Sequence, residues 1–385
     1  MHVNMNHAAT SPTKPKKVVD ALTTFLNENS HQSAGRGGDE LESMRAILES
    51  RTLLAQFFAA CSPSHVIFTS GTTESLNMAL NGLVRDGCHV ITTCLEHNAV
   101  ARPLYLLQQQ GRIEVTWLAC GLSGNIDPQA IVSSIRPNTR LLAMTHASNV
   151  LGNVLPVARS FEIAKRYGLF TLLDAAQTVG HISVKLDNNT DAIAFTGHKG
   201  LRGTAGIGGL VLSENVANEF GAWKAGGTGS HSQSLEMPNF LPDKLEPGTH
   251  NMLGILSLKA AVEAIGAMGI TAIHAREKSL TSRFVKGLKQ LPVTLYGDYS
   301  VEHWIPVVSI NIPGRDAGLV ARQLSEDFDI ETRSGLHCSP LAHKTIGTFP
   351  HGTLRLSFGV DTTDQEIDYV LEALEKITTS SRKCD

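Results

Sequence analysis

The chain has 385 residues, of which 42% are hydrophobic and 18% charged, with a formal net charge of -3. This length supports a sizeable core and exceeds the size at which one core usually stops growing, so a large and a smaller domain are expected. The charge offers no broad basic field for nucleic acid or an anionic membrane, and no apolar run is long enough to span a bilayer, so neither partner is expected. The polar start, residues 1–10, lacks the charged n-region and apolar h-region of a secretory signal. Six cysteines (Cys61, Cys88, Cys94, Cys120, Cys338, Cys384) show no Cys-x-x-Cys spacing, which favours reduced thiols and a cytoplasmic location.

Apolar, β-branched runs alternate with amphipathic segments through the first two thirds. Strands are expected at 65–70, 89–95, 114–119, 141–146, 169–173, 192–196 and 207–212, with helices near 73–85, 99–110, 128–135 and 156–167. That rhythm predicts an α/β fold with a mainly parallel seven-stranded sheet covered by helices. Ligands of such sheets collect beyond the carboxyl ends of the strands, where Ser70, His146, Asp174 and Lys199 fall. Residues 224–246 are rich in glycine and polar residues at their start and read as a mobile loop. Helices at 249–268 and 272–290, short strands at 307–312, 331–333 and 353–358, and a last helix from Asp364 predict a smaller α+β domain. The expected division is an arm at 1–19 packing with the small domain, a large domain at 20–262 and the small domain at 263–385.

Two strand ends carry the most informative chemistry. The run Ala194-Phe195-Thr196-Gly197-His198-Lys199-Gly200 ends in an amine able to form a Schiff base, and Leu172-Leu173-Asp174-Ala175-Ala176-Gln177 ends in an acid. Together they describe a seat for pyridoxal 5'-phosphate, in which a lysine binds the aldehyde and a buried carboxylate pairs with the ring nitrogen. Each alone also fits loop solvation or helix capping. In Thr69-Ser70-Gly71-Thr72-Thr73-Glu74-Ser75 a strand runs into glycine and hydroxyls that open a helix, which suits an anion at the helix terminus and equally suits a cap by Thr72 or Thr73. His97 follows a strand and is able to lie against a planar ring or move a proton, while Asn149, in Thr145-His146-Ala147-Ser148-Asn149, offers a donor to a phenolate oxygen or serves a turn. Arg355 has the planar fork that matches a carboxylate. Cys338 lies between His337 and Ser339-Pro340 on an expected loop, where Arg333 and His337 would favour its thiolate, whereas Cys61, Cys88, Cys94 and Cys120 fit buried small hydrophobes. His337, Cys338 and His343 give no recognised zinc spacing, and no metal is expected.

In this order the motifs resemble the cysteine desulfurases of the class V aminotransferase family. The resemblance runs from Asn6-His7-Ala8-Ala9-Thr10 through Gly71-Thr72-Thr73-Glu74, Glu96-His97, Asn149, Asp174-Ala175-Ala176-Gln177, Thr196-Gly197-His198-Lys199 and Glu246-Pro247-Gly248-Thr249 to Arg333-Ser334-Gly335-Leu336-His337-Cys338. The Arg-x-Gly-x-His-Cys form is similar to the group that holds short-loop desulfurases and selenocysteine lyases. The resemblance implies the fold type I of pyridoxal phosphate-dependent transferases, with Lys199 as the Schiff-base lysine, Asp174 at the pyridine nitrogen, Gln177 at the phenolic oxygen and His97 stacked on the ring. It further implies a phosphate site of Thr72, Thr73, Thr196 and His198, completed by Thr249 from a second subunit of a homodimer. Arg355, with Asn149 and Arg333, would bind the substrate. The implied activity removes sulfur from L-cysteine, leaves L-alanine and a persulfide on Cys338, and passes the sulfur to an acceptor protein. A selenocysteine lyase acting on L-selenocysteine, a cysteine lyase and a class V aminotransferase that does not use the thiol are the alternatives; a scaffold without catalysis has no chemical need for Lys199, Asp174 and Arg355 together.

Overall fold

Strands buried on both faces need apolar side chains on both, and alternation supplies them. Phe195 and Ile193 enter one core while Ala192 and Ala194 enter the other; Leu142 and Met144 are opposed by Leu141 and Ala143 in the same way. In the computed structural model, which describes residues 1–28, 40–300 and 304–379, these strands form one seven-stranded sheet. Its order is Val66–Thr69, Gly208–Leu212, Ala192–Thr196, Phe170–Asp174, Thr139–Thr145, Cys88–Thr93, Ile113–Leu118. All run in one direction except Gly208–Leu212, which pairs antiparallel with both neighbours. The Thr72–Leu83 and Asn98–Gln109 helices cover one face through Leu76, Leu80, Val100 and Leu104. The Glu40–Phe58 and Met252–Met268 helices cover the other through Leu54, Phe58, Ile255 and Leu258. Each such side chain, taken fully from water, contributes roughly 1.5–3 kcal/mol.

The second sheet has four antiparallel strands in the order Arg333–Gly335, Thr353–Ser357, Val307–Asn311, Thr294–Tyr296. It packs with the Ile270–Leu288, Ala317–Phe328 and Asp364–Thr379 helices around a separate core. Val3 and Met5 of the N-terminal arm are buried in that core, and Val3–Asn4 pairs in parallel with Ile330–Glu331. The expected division at 262/263 falls inside the Met252–Met268 helix; Ile273 still belongs to the first core and Leu280 to the small one.

Several elements differ from the sequence expectations. The expected strand at 331–333 is two strands, because the run serves two sheets: Ile330–Glu331 meets the arm and Arg333–Gly335 meets Thr353–Ser357. The Lys16–Glu28, Glu40–Phe58, Ala317–Phe328 and Pro340–Thr345 helices and the Thr294–Tyr296 strand were not foreseen. Ala317–Phe328 carries a signal in the sequence, since Asp316 caps it by accepting from the N–H groups of Gly318 and Leu319. Residues 224–246 contain no helix or strand and end in a buried anchor, where Glu246 pairs with Arg51 at 2.7 Å. Cys384 lies outside the described residues. No single helix among them is long and apolar enough to cross a membrane.

Gly208 sets how closely the antiparallel strand approaches the turn at Gly71. A Cβ there would lie against the Phe195 carbonyl and 2.7 Å from Gly71 Cα, both backbone atoms that cannot step aside. Gly208→Ala is therefore expected to destabilise the fold by roughly 1–3 kcal/mol, read as a lowered urea midpoint.

Candidate active site

The carboxyl ends of the sheet strands and the edge of the small-domain sheet meet around a cleft of about 330 Å³. Thr72, Thr73, His97, Asn149, Asp174, Gln177, Thr196, His198 and Lys199 line it from the large domain, and Arg333, Cys338 and Arg355 from the small one. Thr249 is exposed and does not line this cleft.

At one end Gly71, with φ 150, opens the 12-residue Thr72–Leu83 helix, whose first backbone N–H groups have no intrahelical acceptor. Thr72 Oγ1 and His198 Nδ1 are buried without a hydrogen-bond partner. Burial, then the Lys199 and Lys14 charges, push His198 down to about 4, so its ring is neutral. Orphaned polar atoms at a helix N-terminus fit a phosphate group, which would satisfy both and meet the positive end of the helix.

In the middle, Asp174 is buried at the end of its strand, with Oδ1 accepting the Ala176 N–H at 3.0 Å. Burial raises its pKa, opposed by that N–H and by the Lys199 charge. Burial likewise lowers Lys199 to about 8, with Asp174 opposing. A carboxyl raised by desolvation regains its charge beside a cation, so this acid suits a protonated ring nitrogen. His97 caps the Asn98–Gln109 helix, its Nδ1 accepting the Ala99 N–H at 3.0 Å. That bond fixes the ring's orientation and places its proton on Nε2. Burial and the cations of Lys199, Arg333, Arg355 and Arg102 push it to about 4. Gln177 Nε2 donates to the Ala8 carbonyl at 3.2 Å.

On the far wall Arg333 and Arg355 are register partners on adjacent strands, two like charges side by side. Arg355 is buried; its Nη1 donates to the Asn149 carbonyl at 3.0 Å and its Nη2 to Asn6 Oδ1 at 3.3 Å, while Nε has no acceptor. Burial, then Arg333, lowers it to about 9. A buried fork with no carboxylate among the described residues is a receptor for one.

The Cys338 thiol is exposed to this cleft on a tight turn in which His337 (φ 48) and Cys338 (φ 59) are both left-handed. Asn149 Nδ2 donates to the His337 carbonyl at 2.6 Å, Ser339 Oγ donates to Asn149 Oδ1 at 2.7 Å, and the Asn98 N–H donates to the Cys338 carbonyl at 2.7 Å. The Asn149 amide, expected to face a phenolate or the substrate, is thus engaged with the thiol loop. The expected help of His337 to the thiolate fails: burial, then Arg355, drives its ring to about 2, so it is neutral and brings no charge. No group of three metal-ligating side chains occurs among the described residues.

In the sequence Glu96 stands out only as part of the Glu96-His97 motif. It is fully buried, and its Oε1 accepts from Thr93 Oγ1 at 2.6 Å and from the Thr145 N–H at 3.0 Å. It therefore ties the segment carrying His97 to the strand beside Asp174. Burial raises it to about 8, opposed by Thr93 and Thr145 and reinforced by Asp174, and Oε2 has no partner.

The chain belongs to the class-V aminotransferase family, whose model matches residues 3–370. A probable cysteine desulfurase of Methanothermobacter thermautotrophicus is 32% identical over 383 residues, 98% of this chain and 94% of that protein. The apo structure of a cysteine desulfurase from Thermococcus onnurineus is similar with a TM-score of 0.91 at 30% identity, covering 98% of this chain and 94% of that one. The Escherichia coli cysteine desulfurase CsdA, solved with an S-sulfonic acid, gives 0.87 at 25% identity over 97% and 94%.

A carboxyl held near 8 when folded and near 4.5 when unfolded keeps a proton that the unfolded chain releases, so its contribution to stability falls as pH rises through that window. Glu96→Gln, which cannot ionise, is expected to remove this decline, a difference on the order of 3 kcal/mol by pH 7. Urea midpoints measured from pH 5 to pH 8 check it: the wild-type curve falls relative to that of the variant.

Proposed function

We propose that this protein is a pyridoxal 5'-phosphate-dependent cysteine desulfurase, which converts L-cysteine to L-alanine and stores the sulfur as a persulfide on Cys338. The observation that carries the reading is the exposed Cys338 thiol in one cleft with the half-buried Lys199 amine and the buried Arg355 fork. Thr72, Thr73, Thr196 and His198 would hold the cofactor phosphate, Asp174 its ring nitrogen, Gln177 its phenolic oxygen, His97 its ring face and Lys199 its aldehyde. When bound, that group supplies an aldehyde for the substrate amine and a ring that draws electrons from the α-carbon.

The rest is done by side chains. Arg355, with Arg333 beside it, binds the substrate carboxylate and fixes which bond faces Lys199. With a pKa of about 8, Lys199 Nζ is partly unprotonated at neutral pH and removes the α-proton. Cys338 Sγ, as thiolate, attacks the substrate sulfur; the new S–S bond forms as the C–S bond breaks, and a proton delivered to carbon completes alanine. Cysteine and the enzyme thiol thus become alanine and the enzyme persulfide. The exposed position of Cys338 leaves that persulfide open to an acceptor protein.

Two copies are part of the proposal. Thr249 is outside the cleft of its own subunit, which suits delivery to that of a second. Leu41 (75% exposed), Met44 (55%) and Leu48 (58%) form an apolar stripe on the Glu40–Phe58 helix that suits burial between copies. The exposed reactive thiol fits a reducing compartment, the cytoplasm.

Protein loaded with pyridoxal 5'-phosphate and given L-cysteine is expected to release alanine and gain the mass of one sulfur on Cys338. Lys199→Ala is expected to lose the visible absorption band and lower alanine formation by at least ~10²-fold. Cys338→Ala should keep the band and lose turnover of L-cysteine. Unchanged alanine formation by that variant would remove the thiol from the reaction, and selective turnover of L-selenocysteine would move the reading to a lyase.

Arg355→Lys keeps the charge but not the fork, and is expected to raise KM for L-cysteine by roughly 10–100-fold, the loss of about 1.5–3 kcal/mol of charged hydrogen bonding. Steady-state kinetics check this, since a damaged fold would lower the absorption band as well.

A further inference from the structure

Cys94 and Cys120 are 26 positions apart in sequence, yet their Sγ atoms are 2.8 Å apart. Cys94 follows directly on the strand Cys88–Thr93 and Cys120 lies two residues beyond the end of its parallel neighbour Ile113–Leu118; Thr93 is the register partner of Leu118 and the Cys94 N–H donates to the Leu118 carbonyl at 3.0 Å. Both thiols are half-buried rather than packed away, and Thr345, at the end of the Pro340–Thr345 helix, reaches both. An S–S bond is about 2.05 Å long, so closing the 2.8 Å gap between the two sulfurs asks only for a small movement of the side chains. None of the steps above uses either thiol.

We propose that Cys94 and Cys120 form a second thiol site, separate from Cys338, that closes reversibly to an intramolecular disulfide when the protein meets a peroxide. One thiolate of the pair attacks hydrogen peroxide, giving a sulfenic acid and releasing water; the sulfur of its partner displaces that hydroxyl as a second water. The two thiols lose two electrons and two protons, and the peroxide is reduced to two waters. Attack can begin at either sulfur, since each lies within hydrogen-bonding reach of the other and the contact stabilises whichever is the thiolate. A low-molecular-weight thiol reopens the bond by exchange, so a reducing compartment makes the closed form transient.

The test uses holoenzyme treated with hydrogen peroxide, alkylated, digested without reduction and mapped by mass spectrometry. The expected result is a Cys94–Cys120 linked peptide with loss of both free thiols, reversed by dithiothreitol and equally formed in Cys338→Ser. Cys94→Ser and Cys120→Ser should each lose the linkage and keep basal alanine formation. Peroxide that oxidises Cys338 while Cys94 and Cys120 remain unlinked would overturn the proposal, as would a linkage of Cys94 to Cys61 in place of Cys120. A failure of alanine formation in untreated protein leaves this result unaffected, because the linkage is read by mass.

Discussion

The buried guanidinium of Arg355 is the interaction on which the site's architecture turns. It belongs to the small-domain strand Thr353–Ser357, yet its donors reach the Asn149 carbonyl of the large domain and the Asn6 side chain of the arm. One side chain therefore stitches together three separate parts of the chain. Burying a cation without a counter-ion is costly, which its depressed pKa of about 9 and its unpartnered Nε both register. That cost is carried by the rest of the fold; in the function proposed, an entering carboxylate would offset it, so that substrate binding and the seating of the small domain would rest on the same group.

Below it the charges are ordered by burial. Lys199 is brought down toward neutrality, and Asp174 and Glu96 are both pushed up. Two buried carboxyls so placed do not both ionise readily, and the environment distinguishes them. Asp174 has Lys199 beside it and faces the cleft, whereas Glu96 is sealed beneath with only a hydroxyl and an N–H for company. Asp174 is thus the carboxyl that faces the cleft with a cation beside it, and Glu96 serves as a neutral tie between strand ends.

Much of this was readable beforehand because it is local. The short apolar runs around Leu142, Leu173 and Phe195 announce strands by composition, and Asp174 and Lys199 stand at or just beyond their ends by chain order alone. Arg355 was identifiable from its neighbours, but its burial was not. What escaped sequence reasoning depends on contacts between distant segments: the neutral state of His337, set by burial against Arg355; the engagement of Asn149 with residues 337–339; the pairing of Cys94 with Cys120. Helices such as Glu40–Phe58 escaped for another reason: they leave Leu41, Met44 and Leu48 exposed, which blurs the apolar stripe that marks a helix.

Asn149 joins these observations. Its carbonyl receives Arg355, and its amide holds both His337 and Ser339 on either side of the thiol. Two successive non-glycine residues in the left-handed region cost on the order of 1–3 kcal/mol each. The turn keeps that conformation because Asn149, with Asn98 behind it, satisfies the backbone there. The thiol is accordingly placed by its backbone, and its side chain remains free to meet a sulfur atom. Arg355 and the loop that carries Cys338 are thus joined through a single residue, Asn149. In the function proposed, the group that binds the amino acid and the loop that presents the thiol would share that residue.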